Sequence, residues 1–374
     1  MALALLVIFI ALVFEFMNGF NDCANSIATS VGTRALSPGI AILMAAVLDL
    51  CGALSGTALA KTVGAGLVDA NLINLFTILC ALAGGIFWNF VTWRYGLPSS
   101  SSHALIGGLC GAAVGSAGGF AGVVWYKPVV AAAGTDGWWG SLGNFFSSAG
   151  LLPKVIVPMF TAPVLGLLIA FCVTSVLYTF LKAMNHTTDT RTHHANRGFR
   201  VMQWVSSGWM AFEHGRNDAQ KTMGIIALTL FLATTKTHAF ANAPVWLGFL
   251  RTPTFNIATW VKVICAVTMG IGVSTGGWRI IKTLGKKMVK LEPVHGFSAQ
   301  TTASMVIEAA TSMGMPLSTT HVISGSVMGA GATKRLNAVK WSVAERMLWA
   351  WIMTIPICGS IGFTLTWIFR HLGF

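Results

Sequence analysis

The chain has 374 residues, of which 55% are hydrophobic and only 9% are charged. Soluble domains carry about 25% charged residues, so this chain has too few polar groups to cover a surface that faces water. The mean hydropathy of +0.71 indicates the same. The formal net charge of +13 is scattered along short loops and forms no basic domain for nucleic acid. These values argue against a soluble enzyme, a disordered chain and a nucleic-acid binder, and they predict a membrane protein.

An apolar run at residues 2–14 predicts the first membrane segment. It contains no Lys or Arg, whereas a signal peptide needs a basic region before its apolar core. Further apolar stretches follow, and several are long enough to cross a hydrocarbon core of about 30 Å as helices. They lie at about 39–60, 72–93, 104–125, 155–181, 222–233, 256–277, 298–315, 320–332 and 347–369.

The shorter of these stretches, interrupted by Gly or Ser, indicate broken or re-entrant helices, which line cavities in membrane proteins. We therefore predict an all-α polytopic membrane protein of the cell (inner) membrane with about ten to twelve membrane elements. The 7 Cys residues are spread through apolar stretches with no CxxC pair, which argues against a disulfide framework and a zinc site. No cofactor is expected beyond a transported cation.

A hydrophilic stretch divides the chain almost in half. Residues 182–200 carry four basic residues against a single acidic one, Asp189. Basic loops are retained on the cytoplasmic side of a membrane, and a lysine cluster at 282–290 is a second candidate of this kind. We predict a first membrane repeat at 1–181, a basic cytoplasmic loop at 182–203 and a second membrane repeat at 204–374.

Three sequence blocks occur twice and in the same order, which indicates a duplicated bundle. The two copies of the first block listed below are 196 residues apart, and those of the second block are 221 apart. An extra loop in the second half, near 234–257, accounts for this change. The blocks are 19–26 (GFNDCANS) with 215–222 (GRNDAQKT), 61–64 (KTVG) with 282–285 (KTLG), and 96–103 (GLPSSSSH) with 314–321 (GMPLSTTH). Duplicated bundles are typical of transporters whose site lies where the repeats meet. An odd number of spans between the copies would invert them, and we predict two inverted repeats.

Acidic side chains are rare here, with only 11 in the chain. Four of them lie in or beside the first block: Glu15, Asp22, Glu213 and Asp218. A carboxylate at the centre of a membrane helix costs about 2.5–3.5 kcal/mol, so something must compensate it. Bound cations would do so, as would pairing with Lys221 or Arg216. The alternative is that each Asn-Asp pair only caps a broken helix. Asp49 and Glu308 also lie in apolar runs, where they either couple transport or pair with neighbours such as Lys61.

The third block predicts an anion site. It supplies hydroxyls and backbone N–H groups after a proline that begins a helix, and a helix N-terminus favours negative charge. Two such helix starts could face one oxyanion, although capping by Ser and Thr is the simpler interpretation. His103 and His321 either hold hydroxyls or relay protons, or are structural.

At these blocks the sequence resembles the inorganic phosphate transporter (PiT) family, whose members carry a duplicated G-x-N-D-x-x-[NK] signature. The resemblance covers essentially the whole chain. It implies a secondary transporter with inverted repeats that moves phosphate together with a cation, which is sodium in some members and a proton or a metal–phosphate complex in others. Some members carry a carboxylate at the place of Gln300, where this chain has an amide. The copies also differ at Asn25 against Lys221, so the two half-sites are not equivalent.

The resemblance also implies site residues. The core of the site, and the ligands of a coupling sodium, would be Asn21, Asp22, Asn217 and Asp218. The substrate-binding residues beside them would be Asn25, Ser26, Gln220, Lys221 and Thr222, with Ser100, Ser101, Ser102, Ser318, Thr319 and Thr320 completing the phosphate and cation shell.

Charge balance suggests the same mechanism without naming the ion. Phosphate carries nearly two negative charges at neutral pH, while Lys221 and Arg216 are the only fixed cations in the first block. Cations at Asp22 and Asp218 would supply the missing positive charge, so anion binding would depend on cation binding, which is symport.

Three alternatives remain open. A permease for sulfate or another oxyanion could use the same helix starts and hydroxyls. An intramembrane hydrolase needs a base beside a serine and an oxyanion hole, and duplicated Ser-His blocks without a GxSxG elbow do not suggest one. The third alternative is a channel, but paired broken helices are more typical of an occluded binding site than of an open pore. Small-residue helix faces such as 107–111 favour close helix packing and would permit a homo-oligomer, although the sequence does not give the oligomeric state.

Overall fold

The structure is a computed structural model that describes residues 1–128, 138–183, 189–240 and 243–373. Within these residues all regular structure is helical and there are no strands, as predicted. The α-helices are α1 Ala2–Gly32, α2 Pro38–Leu54, α3 Ala58–Ala65, α4 Leu75–Tyr95, α5 Ser101–Ala117, α6 Trp138–Ser147, α7 Val157–Ala183, α8 Asp189–Thr235, α9 Thr259–Thr275, α10 Trp278–Lys282, α11 Pro293–Ser312, α12 Thr319–Ala332 and α13 Trp341–His371.

Four helical segments are long and apolar enough to cross a membrane: α1, α4, α13, and α7 together with the π-helical turn before it. Two broken helices add to them. The pair α2 and α3 bends by 70°, and α9 bends by 58° against α10 and the π-helical turn after it. If each bent pair is one span, the described residues contain up to six spans. The broken helices expected from the sequence are therefore present, while the count of ten to twelve membrane elements stays a prediction.

The two halves of the chain contact each other through matching elements. Helix α1 packs against α9, and its counterpart α8 packs against α2; likewise α5 packs against α13 while α12 packs against α7. Each motif-bearing helix thus lies against an element of the opposite half. This arrangement accords with the duplication in the sequence, and the inverted orientation of the copies stays a prediction.

Glycine permits the closest of these approaches. A Cβ atom on Gly19 of α1 would lie 2.5 Å from the backbone carbonyl oxygen of Met269 on α9. A Cβ atom on Gly215 of α8, the equivalent position in the second copy, would overlap the carbonyl of Asp49 on α2. Both glycines begin the first sequence block, so the block also fixes how closely the helices pack.

Two expectations need correction. Helix α8 begins at Asp189, so most of the basic stretch 182–203 is helical rather than a loop; residues 184–188 lie outside the described part. Its polarity suggested a loop, but the polar end of a long helix can extend beyond the packed core. The small-residue segment 107–111 packs against α4 and α13 of the same chain, so it is not a free face for another subunit. The cytoplasmic side of the basic stretch and self-association both stay predictions.

Candidate functional site

The two Asn-Asp pairs lie inside continuous helices. Asn21 and Asp22 belong to α1, and Asn217 and Asp218 belong to α8, which packs against it. All four side chains are buried, with at most 4% of their surface exposed. Because neither helix begins here, the Asn-Asp pairs do not act as helix caps.

The Ser- and Thr-rich blocks lie at the starts of α5 and α12. These helices begin at Ser101 and Thr319, not at the preceding prolines as the sequence suggested. Ser100 and Ser318 are the N-cap residues, and their hydroxyls accept hydrogen bonds from the backbone N–H groups three residues later at 3.1 and 3.3 Å. These two hydroxyls satisfy donors at the helix starts, which leaves the following side chains to face the motifs.

The Asn-Asp motif of α1, which we call the first motif, contacts the starts of both α5 and α12. Ser101 donates a hydrogen bond to Oδ2 of Asp22, and Thr320 donates to Oδ1 at 3.4 Å. Asn25, one turn along α1, donates to Thr319 at 3.1 Å and to Thr320 at 2.9 Å. Residues of the first block therefore meet hydroxyls from both copies of the third block.

Lys221 makes most of the contacts of the second motif, which is the Asn-Asp motif of α8. Its ammonium group pairs with Oδ1 of Asp218 and also contacts the hydroxyl of Ser102. It lies 2.6 Å from Oδ1 of Asn217 and 2.9 Å from the carbonyl oxygen of Leu317. The spacing explains part of this, since residues three and four apart share one face of a helix. One buried cation thus joins the second motif to both helix starts.

A histidine that the sequence analysis did not single out completes the charged cluster. His214 lies between two aspartates, with Nδ1 at 2.8 Å from Oδ1 of Asp49 and Nε2 at 3.2 Å from Oδ2 of Asp218. Asp49 therefore pairs with a neighbouring helix, one of the alternatives left open for it. The sequence signal available for His214 was its position one turn before Asp218 on the same helix.

The cluster can hold a cation. Ligand atoms of Asp22, His214 and Asp218 lie within 4.8 Å of one another, and all three residues are buried. The side-chain oxygens of Asn21 and Asn25 are also buried and have no hydrogen-bond partner among the described residues. Three aspartates counting Asp49 face one lysine and one histidine, so the donor set consists largely of oxygens with excess negative charge.

Several predicted residues lie outside this cluster. Gln220 accepts a hydrogen bond from the backbone N–H of Leu59 at 2.9 Å, at the start of α3. Thr222 donates to Oε2 of Glu15 at 2.5 Å, and Ser26 donates to the carbonyl of Cys23 within its own helix. These three side chains support the packing of α1, α3 and α8.

The amide groups of the two motif asparagines face other helices. Asn21 donates to the carbonyl of Asn89 on α4 at 3.2 Å, and Asn217 donates to the hydroxyl of Thr311 on α11 at 2.8 Å. Arg216 pairs with Glu213 at 3.2 Å and is partly exposed, so it does not enter the cluster.

The two block histidines contact each other rather than hydroxyl groups. The ring centroids of His103 and His321 are 4.7 Å apart in an edge-to-face arrangement, and His321 also stacks on Trp351 at 4.1 Å. Their rings therefore lock the starts of α5 and α12 against α13.

A solved structure has a fold similar to that of this chain. The fold matches that of a protein described as the sodium-dependent phosphate transporter, with a TM-score of 0.75 and 22% sequence identity, over 99% of this chain and 100% of that one. The two proteins therefore share one fold over their whole length.

The sequence shows which family the chain belongs to. It matches the phosphate transporter family over residues 18–362, and it belongs to that family. A probable low-affinity inorganic phosphate transporter from Bacillus subtilis is 40% identical over 96% of this chain and 95% of its own length. One from Mycobacterium leprae is 38% identical over 99% of this chain and 79% of its own.

Family membership confirms several predictions. The chain is a phosphate transporter and an integral membrane protein that crosses the cell membrane several times. It is not an enzyme, which removes the intramembrane hydrolase from consideration.

Proposed function

We propose that this transporter imports inorganic phosphate by cation symport, through alternating access to a site where the two halves meet. The observation that carries the proposal is the convergence of Asp22 from α1, Asp218 and Lys221 from α8, and the starts of α5 and α12. Each half contributes a carboxylate and a helix start. A single anion at this point would be contacted by both halves.

Phosphate would bind between the two helix starts. The N-termini of α5 and α12 carry partial positive charge, and Ser101, Ser102, Thr319 and Thr320 present hydroxyls there that can donate to phosphate oxygens. Lys221 would be the fixed positive charge. Its ammonium group pairs with Asp218, so binding a dianion would draw the ammonium away from that carboxylate.

The carboxylates would bind the coupling cation. Once Lys221 turns towards phosphate, the buried carboxylates of the cluster keep only His214 as a basic neighbour, and burying their negative charge is costly. A cation held by these groups, with the free oxygens of Asn21 and Asn25 beside them, would remove that cost. Phosphate binding and cation binding would therefore stabilise each other, as symport requires.

Sodium is the coupling ion that we favour over a proton. The structural neighbour is described as sodium-dependent, and the oxygen-rich donor set suits a hard cation. Phosphate is favoured over sulfate because the family and the relatives are described as phosphate transporters. In addition, a protonated phosphate could donate to a site carboxylate, which sulfate cannot do.

The test is uptake of radiolabelled phosphate into proteoliposomes under an inward sodium gradient or an inward proton gradient. The unaltered protein is compared with Asp22→Asn, Asp218→Asn and a matched control, Glu345→Gln, whose side chain is exposed and distant in sequence from every block. We expect sodium-driven uptake that is lost in both aspartate variants and retained in the control. Phosphate uptake that depends on neither gradient, or that is retained in both aspartate variants, would contradict the proposal.

A further inference from the structure

A second buried polar cluster lies beside the candidate site, and its meaning rests on the proposed function. We call it the Gln300 cluster, and it consists of Ser26, Ser30, Ser206, Ser207 and Gln300. The Gln300 amide nitrogen lies 2.8 Å from the carbonyl oxygen of Ser26 and 2.7 Å from the hydroxyl of Ser207. Its side-chain oxygen accepts a hydrogen bond from Ser206 at 3.0 Å. Gln300 of α11 therefore joins α1 to α8.

Polar groups continue from the cluster towards the end of the molecule where α8 begins. Beyond the cluster, Thr33 follows the last turn of α1 and donates to Oε1 of Gln203 on α8 at 2.7 Å. Further out, the Trp204 indole donates to the carbonyl of Ala35 at 3.1 Å. The polar side chains thus run from the candidate site to the end of the molecule where α8 begins and α1 ends. Arg34 and Arg200 are exposed at that end.

Two polar atoms along this route lack protein partners. The side-chain nitrogen of Gln203 and the hydroxyl of Thr29 are buried and make no hydrogen bond to the described residues. Both residues are at most 1% exposed. Buried polar groups are normally satisfied, by water if not by protein. These two atoms therefore indicate a place that water reaches.

The duplicated sequence supplies an internal comparison, because four positions along this route are apolar in the other copy. At the offset of 196, Ser207, Gln203 and Ser30 correspond to Ala11, Val7 and Ile226, and at the offset of 218 Gln300 corresponds to Leu82. All four counterparts belong to the hydrophobic core and have no exposed surface. Ser26 and Thr33 correspond to Thr222 and Thr229, which are polar and buried as well. The halves therefore share their motifs and differ at the four positions named first.

We propose that the Gln300 cluster, with Thr33 and Gln203, is the aqueous half-pathway between the candidate site and the membrane face where α8 begins. Gln300 is its gate residue, because it ties α1 to α8 across the route. Opening this end exchanges protein hydrogen bonds for hydrogen bonds to water, whereas separating the helices at Val7, Ala11 and Ile226 exposes apolar side chains to water. The exposed arginines at the mouth would attract the anion.

The test compares two cysteine variants at equivalent positions of the repeat, Ser207→Cys and Ala11→Cys. The exposed cysteines Cys51 and Cys172 are first replaced by Ser, and this parent protein gives the background reaction. A membrane-impermeant cationic methanethiosulfonate is applied to sealed vesicles of each orientation without phosphate. Radiolabelled phosphate uptake by the parent and both variants is measured in parallel.

We expect Ser207→Cys to react at least tenfold faster than Ala11→Cys, only from the face where α8 begins, and more slowly once phosphate and sodium are present. Equal rates, faster reaction of Ala11→Cys, or reaction of Ser207→Cys only from the opposite face would overturn the proposal. If the parent takes up no phosphate but the labelling pattern holds, the proposed function fails while the pathway stands. If uptake is normal and the pattern fails, only the pathway is wrong.

Discussion

At the scale of single residues, the unusual feature is a buried lysine among aspartates. Lys221 and Asp218 are both at most 2% exposed, and they form an ion pair on one helix. Removing one partner of a buried pair costs about 3–5 kcal/mol, because the other charge is left without compensation. Removing both charges together avoids that cost, so stability and transport can be separated here.

We expect Lys221→Met to lower the stability of the folded protein by about 3–5 kcal/mol and to abolish uptake. The double variant Lys221→Met with Asp218→Asn should recover most of the stability but not the uptake, because it lacks both the fixed positive charge for phosphate and a carboxylate for the cation. Denaturant titration and proteoliposome uptake measure the two properties. Lys286→Met is the control, since that side chain is exposed. Uptake by the double variant would show that Lys221 is only a structural partner of Asp218.

At the scale of elements, helix starts and helix contacts build the site. Ser318 caps α12, while the next residue, Thr319, donates to Asp218 at 3.1 Å. Helix α8 reaches α2 at Gly215, where the two backbones touch. Ser318 therefore caps a helix while Thr319 contacts the site, and substitutions can distinguish these two roles.

The cap can be separated from phosphate binding. Ser318→Ala should lower the unfolding free energy by about 1 kcal/mol, whereas Ser318→Asn should nearly retain it, because Asn is an equally good N-cap. We expect uptake to persist in Ser318→Asn and to be lost in Thr319→Val, which keeps the shape of the side chain but has no hydroxyl. Loss of uptake in Ser318→Asn with normal stability would instead place that hydroxyl among the phosphate ligands.

The close contact of α8 with α2 makes a second prediction at this scale. Gly215→Ala should force the helices apart, at a cost of about 1–3 kcal/mol, and weaken the contact of His214 with Asp49, so stability and uptake should both fall. Gly198→Ala on the same helix is the matched control, since a Cβ atom there meets nothing within 4 Å. A Gly215→Ala protein with unchanged stability would contradict the close packing.

At the scale of the whole molecule, the two halves act as one binding unit. Hydroxyls of the second half reach Asp22, and Ser102 of the first half reaches Lys221. A ligand at this junction affects both halves. Coupling between phosphate and cation is then a property of the assembled pair.

Linkage makes this coupling quantitative. If sodium raises the affinity for phosphate by a given factor, phosphate must raise the affinity for sodium by the same factor. Equilibrium binding of each ligand to purified protein, with and without the other, measures both factors. We expect equal factors of about 5–150, the usual range for coupled sites. A phosphate affinity that is the same with and without sodium would contradict sodium symport.

Much of the architecture could be predicted from the sequence. Apolar length predicted membrane helices, interrupted stretches predicted the broken ones, and the repeated blocks indicated two related halves, because these are properties of local composition and spacing. Some of the site followed as well. Lys221 and Asp218 lie three residues apart, so helical geometry alone brings them together.

Other assignments depended on rotation around a helix. Gln220 belongs to the same block as Asp218 but lies two residues from it, on the opposite side of α8, and it contacts Leu59 instead. The motif as a string of letters does not distinguish the two faces. Placing the block on a helix would have assigned Asp218 and Gln220 to opposite faces.

The sequence by itself determined that this protein is a duplicated helical membrane transporter with paired carboxylate and hydroxyl motifs, because hydropathy, spacing and repetition are written along the chain. Only the tertiary structure decided which groups meet. Asp49 and His214 are 165 residues apart, and Ser26 and Gln300 are 274 apart. Contacts at such separations form when helices from the two halves pack, and that packing depends on close backbone approach and on hydrogen bonds that satisfy most of the buried polar groups.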